Sequence, residues 1–211
     1  MRSADPAHAR ILPAALRTLL GAIALAGTAV TPIAAAAADL AAGKAAAGAC
    51  AVCHGANGIS AMTGVPSLAG QTDAFLEWQL VYFRSGARRS DAMDPVAAKL
   101  SDADIRNLGA WFASLSPPAP PAGALDGARM AAGVKVIEKY RCGSCHQRNF
   151  AGLDQAARIA SQREDYLEKS LGDFKSGTRR GGGAAGAMPD VAFPMTHEEI
   201  GAVAYYLSRH P

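Results

Sequence analysis

A five-residue motif that occurs twice constrains this chain more than any other feature of its sequence. The sequence reads CAVCH from Cys50 to His54 and CGSCH from Cys142 to His146, and the two motifs use all four cysteines. A Cys-x-x-Cys-His motif is the attachment site of a c-type haem, in which both thiols bond to the porphyrin and the histidine ligates the iron. The sequence therefore predicts two covalent haems, attached through Cys50, Cys53, Cys142 and Cys145, with His54 and His146 as proximal ligands.

Paired cysteines also bind zinc or act as a dithiol redox pair, but the sequence favours neither use. A zinc site would need two more soft ligands at similar spacing in each half, and the sequence provides none. A thioredoxin-like pair lies in a βαβ pattern, which this sequence lacks. Haem attachment is the interpretation that also accounts for the histidine after each pair.

The two motifs belong to a repeat that covers much of the chain. Three apolar positions recur 91 residues later, and the haem motifs recur after 92 residues; the apolar positions are Leu76, Leu80 and Phe83, then Leu167, Leu171 and Phe174. An uncharged segment with four prolines (SPPAPPAG, residues 116–123) separates the copies and is typical of an extended spacer. We therefore expect a first domain at 39–116, a linker at 117–125 and a second domain at 126–211.

The periodicity within each copy is helical. Leu76, Leu80 and Phe83 are spaced i, i+4, i+7, which places them on one face of a helix. Ser101 and Thr196 each open a segment with the composition of a helix capping box. No alternating run predicts a β-strand. The predicted fold class is all-α, with two tandem domains that each wrap around one covalent haem.

The first 38 residues have the composition of an export signal. A basic region with three arginines precedes an apolar run from Leu19 to Val30, and small residues follow at 34–38. Cleavage is predicted before Asp39, and the mature chain is expected in the periplasm, because bacteria attach c-type haem outside the cytoplasm. The alternative is an uncleaved membrane anchor, since residues 18–38 are uncharged and about long enough to span a bilayer.

An iron held by one histidine needs a second axial ligand to serve as an electron carrier, and methionine can supply it. The first copy offers Met62 and Met93. Met62 lies only eight residues after His54, a path too short to reach the opposite face of the porphyrin. We therefore predict that Met93 ligates the first iron.

In the second copy Met188 and Met195 compete for the iron. Met188 lies 95 residues after Met93, and the same offset relates the helices predicted to follow them. This alignment places Met195 opposite Leu100, an apolar position where a methionine can fill a gap in the core. We therefore predict that Met188 is the ligand and Met195 a core residue.

Together these features resemble class I cytochromes c, and their tandem arrangement resembles the diheme cytochrome c4 family. The resemblance covers residues 39–211, including the segment from Pro66 to Gln71 (PSLAGQ) and the Phe-basic-Ser-Gly segments that begin at Phe83 and Phe174. It implies two helical haem domains that face each other and relay single electrons in the periplasm. It also implies a carrier and not an enzyme.

The second copy departs from the family pattern in two places. In class I cytochromes a proline carbonyl accepts a hydrogen bond from the proximal histidine; Pro66 matches that position, but its counterpart is Ala157. A backbone carbonyl does not require proline, so the hydrogen bond can persist on a less rigid loop. A glycine-rich run at 181–186 also precedes Met188.

The resemblance implies redox proteins as partners of a monomeric carrier, namely a quinol-oxidising membrane complex and a terminal oxidase. A second function stays open, that of the cytochrome subunit of a flavin-, quinone- or sulfide-oxidising periplasmic dehydrogenase, and so does loose membrane association. A diheme peroxidase is disfavoured, because two methionine ligands would close both irons to substrate. The net charge of +3, with no basic run interleaved with aromatics, does not indicate nucleic-acid binding.

Two arginine pairs recur at equivalent positions, Arg88 with Arg89 and Arg179 with Arg180. Arginine suits carboxylates, so one member of each pair is a candidate to bind a haem propionate, and a solvated surface charge is the alternative. Trp111 and Tyr206 hold equivalent places on the last predicted helices, where we expect them to pack. His210 is expected to be exposed.

Overall fold

The structure of the protein is a computed structural model that describes residues 37–180 and 186–211. Most of the predicted export signal, including its apolar run from Leu19 to Val30, lies outside the described residues, as does the glycine-rich run up to residue 185. None of the helices that the described residues form is long and apolar enough to cross a membrane.

The described residues form ten α-helices and no β-strand, and an isolated bridge joins Leu153 to Ala156. In chain order the helices are α1 (Leu40–Ala47), α2 (Ala51–His54), α3 (Asp73–Ser85), α4 (Asp94–Ala97), α5 (Asp102–Ala113), α6 (Gly127–Tyr140), α7 (Gly143–His146), α8 (Glu164–Lys175), α9 (Met188–Ala192) and α10 (His197–Arg209). The all-α prediction is confirmed.

These helices are two copies of one five-helix unit. Helices α1 to α5 form the first unit and α6 to α10 the second, and the proline-rich segment between α5 and α6 connects them. In both units the last helix packs against the first and the third: α5 contacts α1 and α3, and α10 contacts α6 and α8. The repeat found in the sequence therefore extends to the arrangement of the helices.

Polar caps set where the main helices begin. Ser101 and Thr196 accept a hydrogen bond from the backbone N–H three residues later, whose own carboxylate accepts from the N–H of the cap. Both predicted capping boxes are thus present. Asp39 and Asp126 accept N–H groups from the first turns of α1 and α6. Such caps contribute about 1 kcal/mol each.

A glycine lets the first and last helices of each unit cross closely. A Cβ atom at Gly43 would lie 2.1 Å from the carbonyl oxygen of Asn107 and 2.9 Å from Trp111 Cβ. A Cβ atom at Gly133 would lie 2.4 Å from Tyr206 Cβ. The predicted packing role of Trp111 and Tyr206 is therefore confirmed.

The expectation that His210 is exposed is wrong. Its ring centroid lies 5.0 Å from that of Phe150 and 5.5 Å from that of Tyr206, and the residue is half-buried. Ser161 Oγ also donates to the His210 carbonyl oxygen over 2.7 Å. Aromatic partners from distant parts of the second unit thus hold this terminal residue in place.

Candidate haem sites

Each Cys-x-x-Cys-His motif forms a single helical turn. Cys50 precedes α2 and Cys142 precedes α7. The backbone N–H of the motif histidine donates to the carbonyl oxygen of the first cysteine, over 2.9 Å in the first unit and 3.1 Å in the second. Residues three apart lie on one face of such a turn, so the spacing places both cysteines of a motif together. None of the four cysteines forms a disulfide.

A backbone carbonyl holds each motif histidine. His54 Nδ1 donates to the carbonyl oxygen of Pro66 over 2.8 Å, and His146 Nδ1 donates to that of Ala157 over 2.7 Å. Because a carbonyl only accepts, Nδ1 carries the hydrogen and Nε2 keeps its lone pair. This is the tautomer that binds a metal through Nε2. The hydrogen bond is present in the second unit although alanine replaces proline.

Burial sets the protonation of the motif side chains. It lowers the pKa of His54 and of His146, and the hydrogen bond to the backbone carbonyl opposes this only in part. Both histidines are therefore neutral at pH 7, as a metal ligand must be. Burial also raises the pKa of the Cys50 and Cys142 thiols.

The candidate axial methionines occupy equivalent places in the two units. Met93 immediately precedes α4 and Met188 begins α9, and both residues are half-buried. Met195 is 1% exposed and belongs to the buried core of the second unit, whereas Met62 is exposed. These positions fit two ligand candidates and one core methionine, while ligation itself stays a prediction.

Two buried glutamines join the units across their interface. The N–H of Ser67 donates to Gln162 Oε1 over 2.9 Å, and Gln162 Nε2 donates to the Ser67 carbonyl oxygen over 2.8 Å. Gln71 pairs in the same way with the backbone of Arg158, over 2.5 Å and 3.0 Å. Both glutamines are 5% exposed. The interface is pseudo-symmetric, because Ser67 and Gln71 lie 91 residues before Arg158 and Gln162.

A second cluster at the interface is positively charged. Arg88 and Arg179 both donate to Gln79 Oε1, over 2.7 Å and 3.0 Å, and Arg88 also donates to the Tyr166 hydroxyl over 3.2 Å. Burial acts to raise the pKa of Tyr166, but the two guanidiniums outweigh it and lower that pKa to about 7. Within residues 37–180 and 186–211, neither guanidinium forms a salt bridge with a carboxylate.

One member of each arginine pair lies in this cluster. Arg179 is 7% exposed, so the alternative that it is a solvated surface charge is wrong. Arg89 is exposed and pairs instead with Asp94 over 3.0 Å, and Arg180 is exposed. Arg88 and Arg179 are therefore the better candidates to meet a haem propionate.

Sequence reasoning missed the bridging role of the two glutamines and of Tyr166. A signal was present for the glutamines, because Gln71 and Gln162 are separated by the same 91 residues as the repeated apolar positions. Their partners could not be read from the sequence, because each lies in the opposite copy. A polar residue that recurs at the same place in both copies is the pattern that such an interface produces.

The residues of each site fit a covalent haem. Each unit supplies two cysteines that form no disulfide and lie on one turn, a neutral histidine oriented by a carbonyl, and a methionine ahead of the last helix. The described part of the chain contains no group of three His, Cys, Asp or Glu side chains that could hold a metal ion.

Known proteins match this chain along most of its length. The cytochrome c family model matches it twice, at residues 40–116 and 130–210. Cytochrome c4 of Pseudomonas aeruginosa is 33% identical over 184 residues, covering 84% of this chain and 92% of that protein. The thiosulfate dehydrogenase electron acceptor of Thiomonas intermedia is 34% identical over 171 residues, covering 77% of this chain and 78% of that protein. The crystal structure of reduced recombinant cytochrome c4 from Pseudomonas stutzeri has a TM-score of 0.76 at 28% identity, covering 83% of this chain and 100% of that one.

The helical repeat, the two sites and these similarities agree. Proteins of this kind are electron carriers and not enzymes, and each Cys-x-x-Cys-His motif corresponds to one covalently bound haem c. The protein thus has two haem c groups as its cofactors. The chain belongs to the cytochrome c family, as a diheme member related to the cytochromes c4.

Proposed function

We propose that the protein carries single electrons in the periplasm through two haems with histidine–methionine ligation. The ligands are His54 and Met93 in the first unit and His146 and Met188 in the second. The observation that supports this most directly is the hydrogen bond from Nδ1 of each motif histidine to a backbone carbonyl, which leaves Nε2 for the iron. The equivalent placement of the two methionines adds to it.

Covalent attachment is proposed at Cys50, Cys53, Cys142 and Cys145. When bound, each haem supplies a one-electron Fe(III)/Fe(II) couple. The protein would hold the histidine ring in place and would supply a methionine thioether as the second ligand of the iron. Methionine ligation favours reduced iron. The mass of the mature protein should exceed that of its peptide by two haems, and a mass with one haem or none would refute this assignment.

Substitution of the methionines tests the proposed axial ligands. We expect Met93→Ala and Met188→Ala each to remove about half of the weak far-red absorption of the iron–sulfur bonds and to lower the potential of one haem, because methionine ligation favours reduced iron. Met195→Ala is the matched control, since it removes a buried methionine from the same unit and should leave the absorption unchanged. Loss of the absorption in Met195→Ala, with retention in Met188→Ala, would reverse the assignment.

Arg88 and Arg179 are proposed to neutralise haem propionates. Support comes from their position at the interface and from their lack of a carboxylate partner among the described residues. We expect Arg179→Gln to lower the potential of the adjacent haem, because a nearby positive charge favours the reduced iron. Arg180→Gln removes an exposed charge next to it and should have a smaller effect. Equal shifts in both variants would argue against propionate binding by Arg179.

The domain boundaries stay a proposal: an export signal at 1–38, domains at 39–116 and 126–211, and a linker at 117–125. It is supported by the helix packing, which joins α1, α3, α4 and α5 in the first unit and α6, α8, α9 and α10 in the second. Residues 39–116 expressed alone in a haem-attaching host should yield a soluble low-spin cytochrome. An apo or aggregated product would mean that the two cores depend on each other.

A second candidate function is the electron acceptor of a periplasmic dehydrogenase, as opposed to a carrier between a quinol-oxidising complex and a terminal oxidase. The similarity to a protein named thiosulfate dehydrogenase electron acceptor favours it. Reduction of the oxidised protein should be timed with membranes and a quinol, and separately with a periplasmic fraction and thiosulfate. Faster reduction by thiosulfate would support the dehydrogenase partner, and faster reduction by the quinol would support the membrane complex.

A further inference from the structure

One peptide group links the motif histidine of the first unit to the second unit. The carbonyl of this group, on Pro66, accepts the hydrogen of His54 Nδ1 over 2.8 Å. The N–H of the same group, on Ser67, donates to Gln162 Oε1 over 2.9 Å. Histidine, peptide and glutamine thus form one continuous chain of hydrogen bonds across the interface.

The second unit contains the reciprocal chain. His146 Nδ1 donates to the carbonyl oxygen of Ala157 over 2.7 Å. The N–H of that peptide group, on Arg158, donates to Gln71 Oε1 over 2.5 Å. Each unit therefore supplies the glutamine that ends the hydrogen-bond chain of the other.

Both glutamine side chains are fixed by further hydrogen bonds. Gln162 Nε2 donates to the Ser67 carbonyl oxygen over 2.8 Å, and Gln162 Oε1 also accepts from the N–H of Arg163 over 3.0 Å. Gln71 Nε2 likewise donates to the Arg158 carbonyl oxygen over 3.0 Å, and Gln71 Oε1 accepts from the N–H of Thr72 over 3.2 Å. Since both residues are 5% exposed, water has little access to the acceptor oxygens. The two chains are therefore ordered parts of the docked protein.

Hydrogen bonds in such a chain polarise one another. A peptide group whose N–H is donated to an acceptor carries more negative charge on its carbonyl oxygen, which strengthens the bond that oxygen accepts by about 10–30%. A stronger bond from Nδ1 makes the imidazole more basic and Nε2 a better electron donor to a metal. Greater donation stabilises Fe(III) over Fe(II), and the reduction potential falls.

We propose that Gln162 lowers the reduction potential of the haem in the first unit and that Gln71 lowers that of the haem in the second. Each glutamine acts across the interface as a positioning residue for the opposite proximal histidine. The inference rests on the proposed ligation of iron by His54 and His146. Its consequence is that docking of the two units, and not either unit alone, sets both potentials.

The Gln162→Leu variant of the full-length holoprotein tests the first chain, because it removes the acceptor but keeps an apolar side chain in the interface. A redox titration followed by NMR reports each haem separately through its methyl resonances. The redox equilibrium of the haem in the first unit should shift about threefold toward the reduced form. At 59 mV per tenfold for one electron, this raises its potential by about 28 mV. The haem of the second unit should move less. Gln71→Leu should give the mirror result.

Two further variants separate this effect from loosening of the interface. Gln162→Glu keeps an acceptor at the Ser67 N–H and should not raise the potential of the first haem, and it decides the question if Gln162→Leu yields no holoprotein. Thr72→Val removes another hydrogen bond across the interface, from Thr72 Oγ1 to the carbonyl oxygen of Asp154 over 2.6 Å, and should leave both potentials unchanged.

The inference is overturned if Gln162→Leu leaves the first haem unshifted, or if it moves both haems equally. It is also overturned if Gln162→Glu raises the potential of the first haem or if Thr72→Val reproduces the shift. The ¹⁵N resonance of His54 Nδ1 in the reduced protein gives a second readout, which should respond to Gln162→Leu while that of His146 does not. A wild-type protein without a low-spin histidine–methionine spectrum would refute the proposed function, whereas a normal spectrum with unshifted potentials would refute only this inference.

Discussion

The two units hold their motif histidines at nearly the same distance with different residues. A proline carbonyl accepts over 2.8 Å in the first unit and an alanine carbonyl over 2.7 Å in the second. The preceding loops are also closed differently. Ser60 N–H donates to Ser67 Oγ over 3.1 Å in the first, whereas two backbone hydrogen bonds join Leu153 and Ala156 in the second. The repeat therefore keeps the position of one backbone oxygen and lets the side chains around it vary.

The cores of the two units differ more than their sites. Among the described residues, the main buried cluster of the first unit has three members, Leu76, Leu108 and Phe112, whereas that of the second has nine, including Met195 and Val203. A porphyrin adds a large apolar surface to either core. From the smaller cluster we expect the stability of the first unit to depend more on its haem than that of the second.

The largest effect of a single substitution is expected at the helix crossings, where the two units are most alike. Gly43→Ala and Gly133→Ala should each lower the free energy of unfolding by about 3 kcal/mol, because the new Cβ atoms would overlap the last helix of the unit. Denaturant titration followed by circular dichroism measures this change.

Gly172→Ala is the matched control for these crossings. It lies inside α8, and a Cβ atom there would meet nothing within 4 Å, so the substitution should stabilise the protein by about 0.5–1 kcal/mol. Similar losses of unfolding free energy in Gly43→Ala and Gly133→Ala would support the equivalence of the two helix crossings. A Gly43→Ala variant as stable as the wild type would contradict it.

The second prediction concerns a core position at which the units differ. Met195→Ala should cost about 2 kcal/mol, because the side chain is 1% exposed and its removal leaves a cavity. Leu100→Ala, at the equivalent position of the first unit, should cost less, because that residue is only half-buried. Thermal unfolding of both variants provides the measurement. An equal cost would mean that the two cores are filled alike.

The sequence predicted the features that depend on residues close together along the chain. Pattern and spacing suffice to find the haem motifs, the helical faces and the capping boxes at Ser101 and Thr196, because each of them lies within a short stretch of sequence. The surroundings of Gln162 and Arg179 could not be predicted, because their partners lie 95 and 100 residues away in the other copy. The repeat alignment predicts which residues are equivalent, but not how two equivalent surfaces dock.

A smaller effect is expected where proline and alanine exchange roles in the two units. Pro66→Ala makes the first unit resemble the second at this position and should cost about 0.5 kcal/mol, chiefly because the unfolded chain gains conformational freedom. The carbonyl that His54 binds remains, so the visible spectrum should not change. Thermal unfolding and the absorption spectrum of the same sample check both expectations. A changed spectrum would show that the ring of proline, and not only its carbonyl, positions the histidine.

The smallest predicted effect concerns the capping boxes. Each contains one carboxylate, but only that of the second unit accepts a hydrogen bond from a lysine among the described residues. In the second unit, the hydrogen bond from Lys139 over 2.6 Å, followed by that from the Thr196 N–H, lowers the pKa of Glu199 to about 2. In the first unit, the hydroxyl and N–H of Ser101 alone lower the pKa of Asp104. A lysine from another helix thus helps to keep the second capping box ionised at low pH.

We expect Lys139→Met to raise the pKa of Glu199 toward its ordinary value of 4.5 and to move acid unfolding of the second unit to higher pH. A carboxylate whose pKa is depressed by folding stabilises the protein fully above its unfolded pKa and loses that stabilisation as the pH falls through the folded one. Without Lys139, the folded pKa is higher, so this stabilisation is smaller and its loss is complete at a higher pH. The shift should be small and should shrink with added salt, because the lysine is exposed. Circular dichroism between about pH 6 and pH 2 measures it against Lys135→Met, an exposed lysine that forms no salt bridge within the described part of the chain. Identical acid midpoints for the two variants would assign the low pKa to the Thr196 N–H and the Tyr140 hydroxyl, which also donates to Glu199 over 2.9 Å.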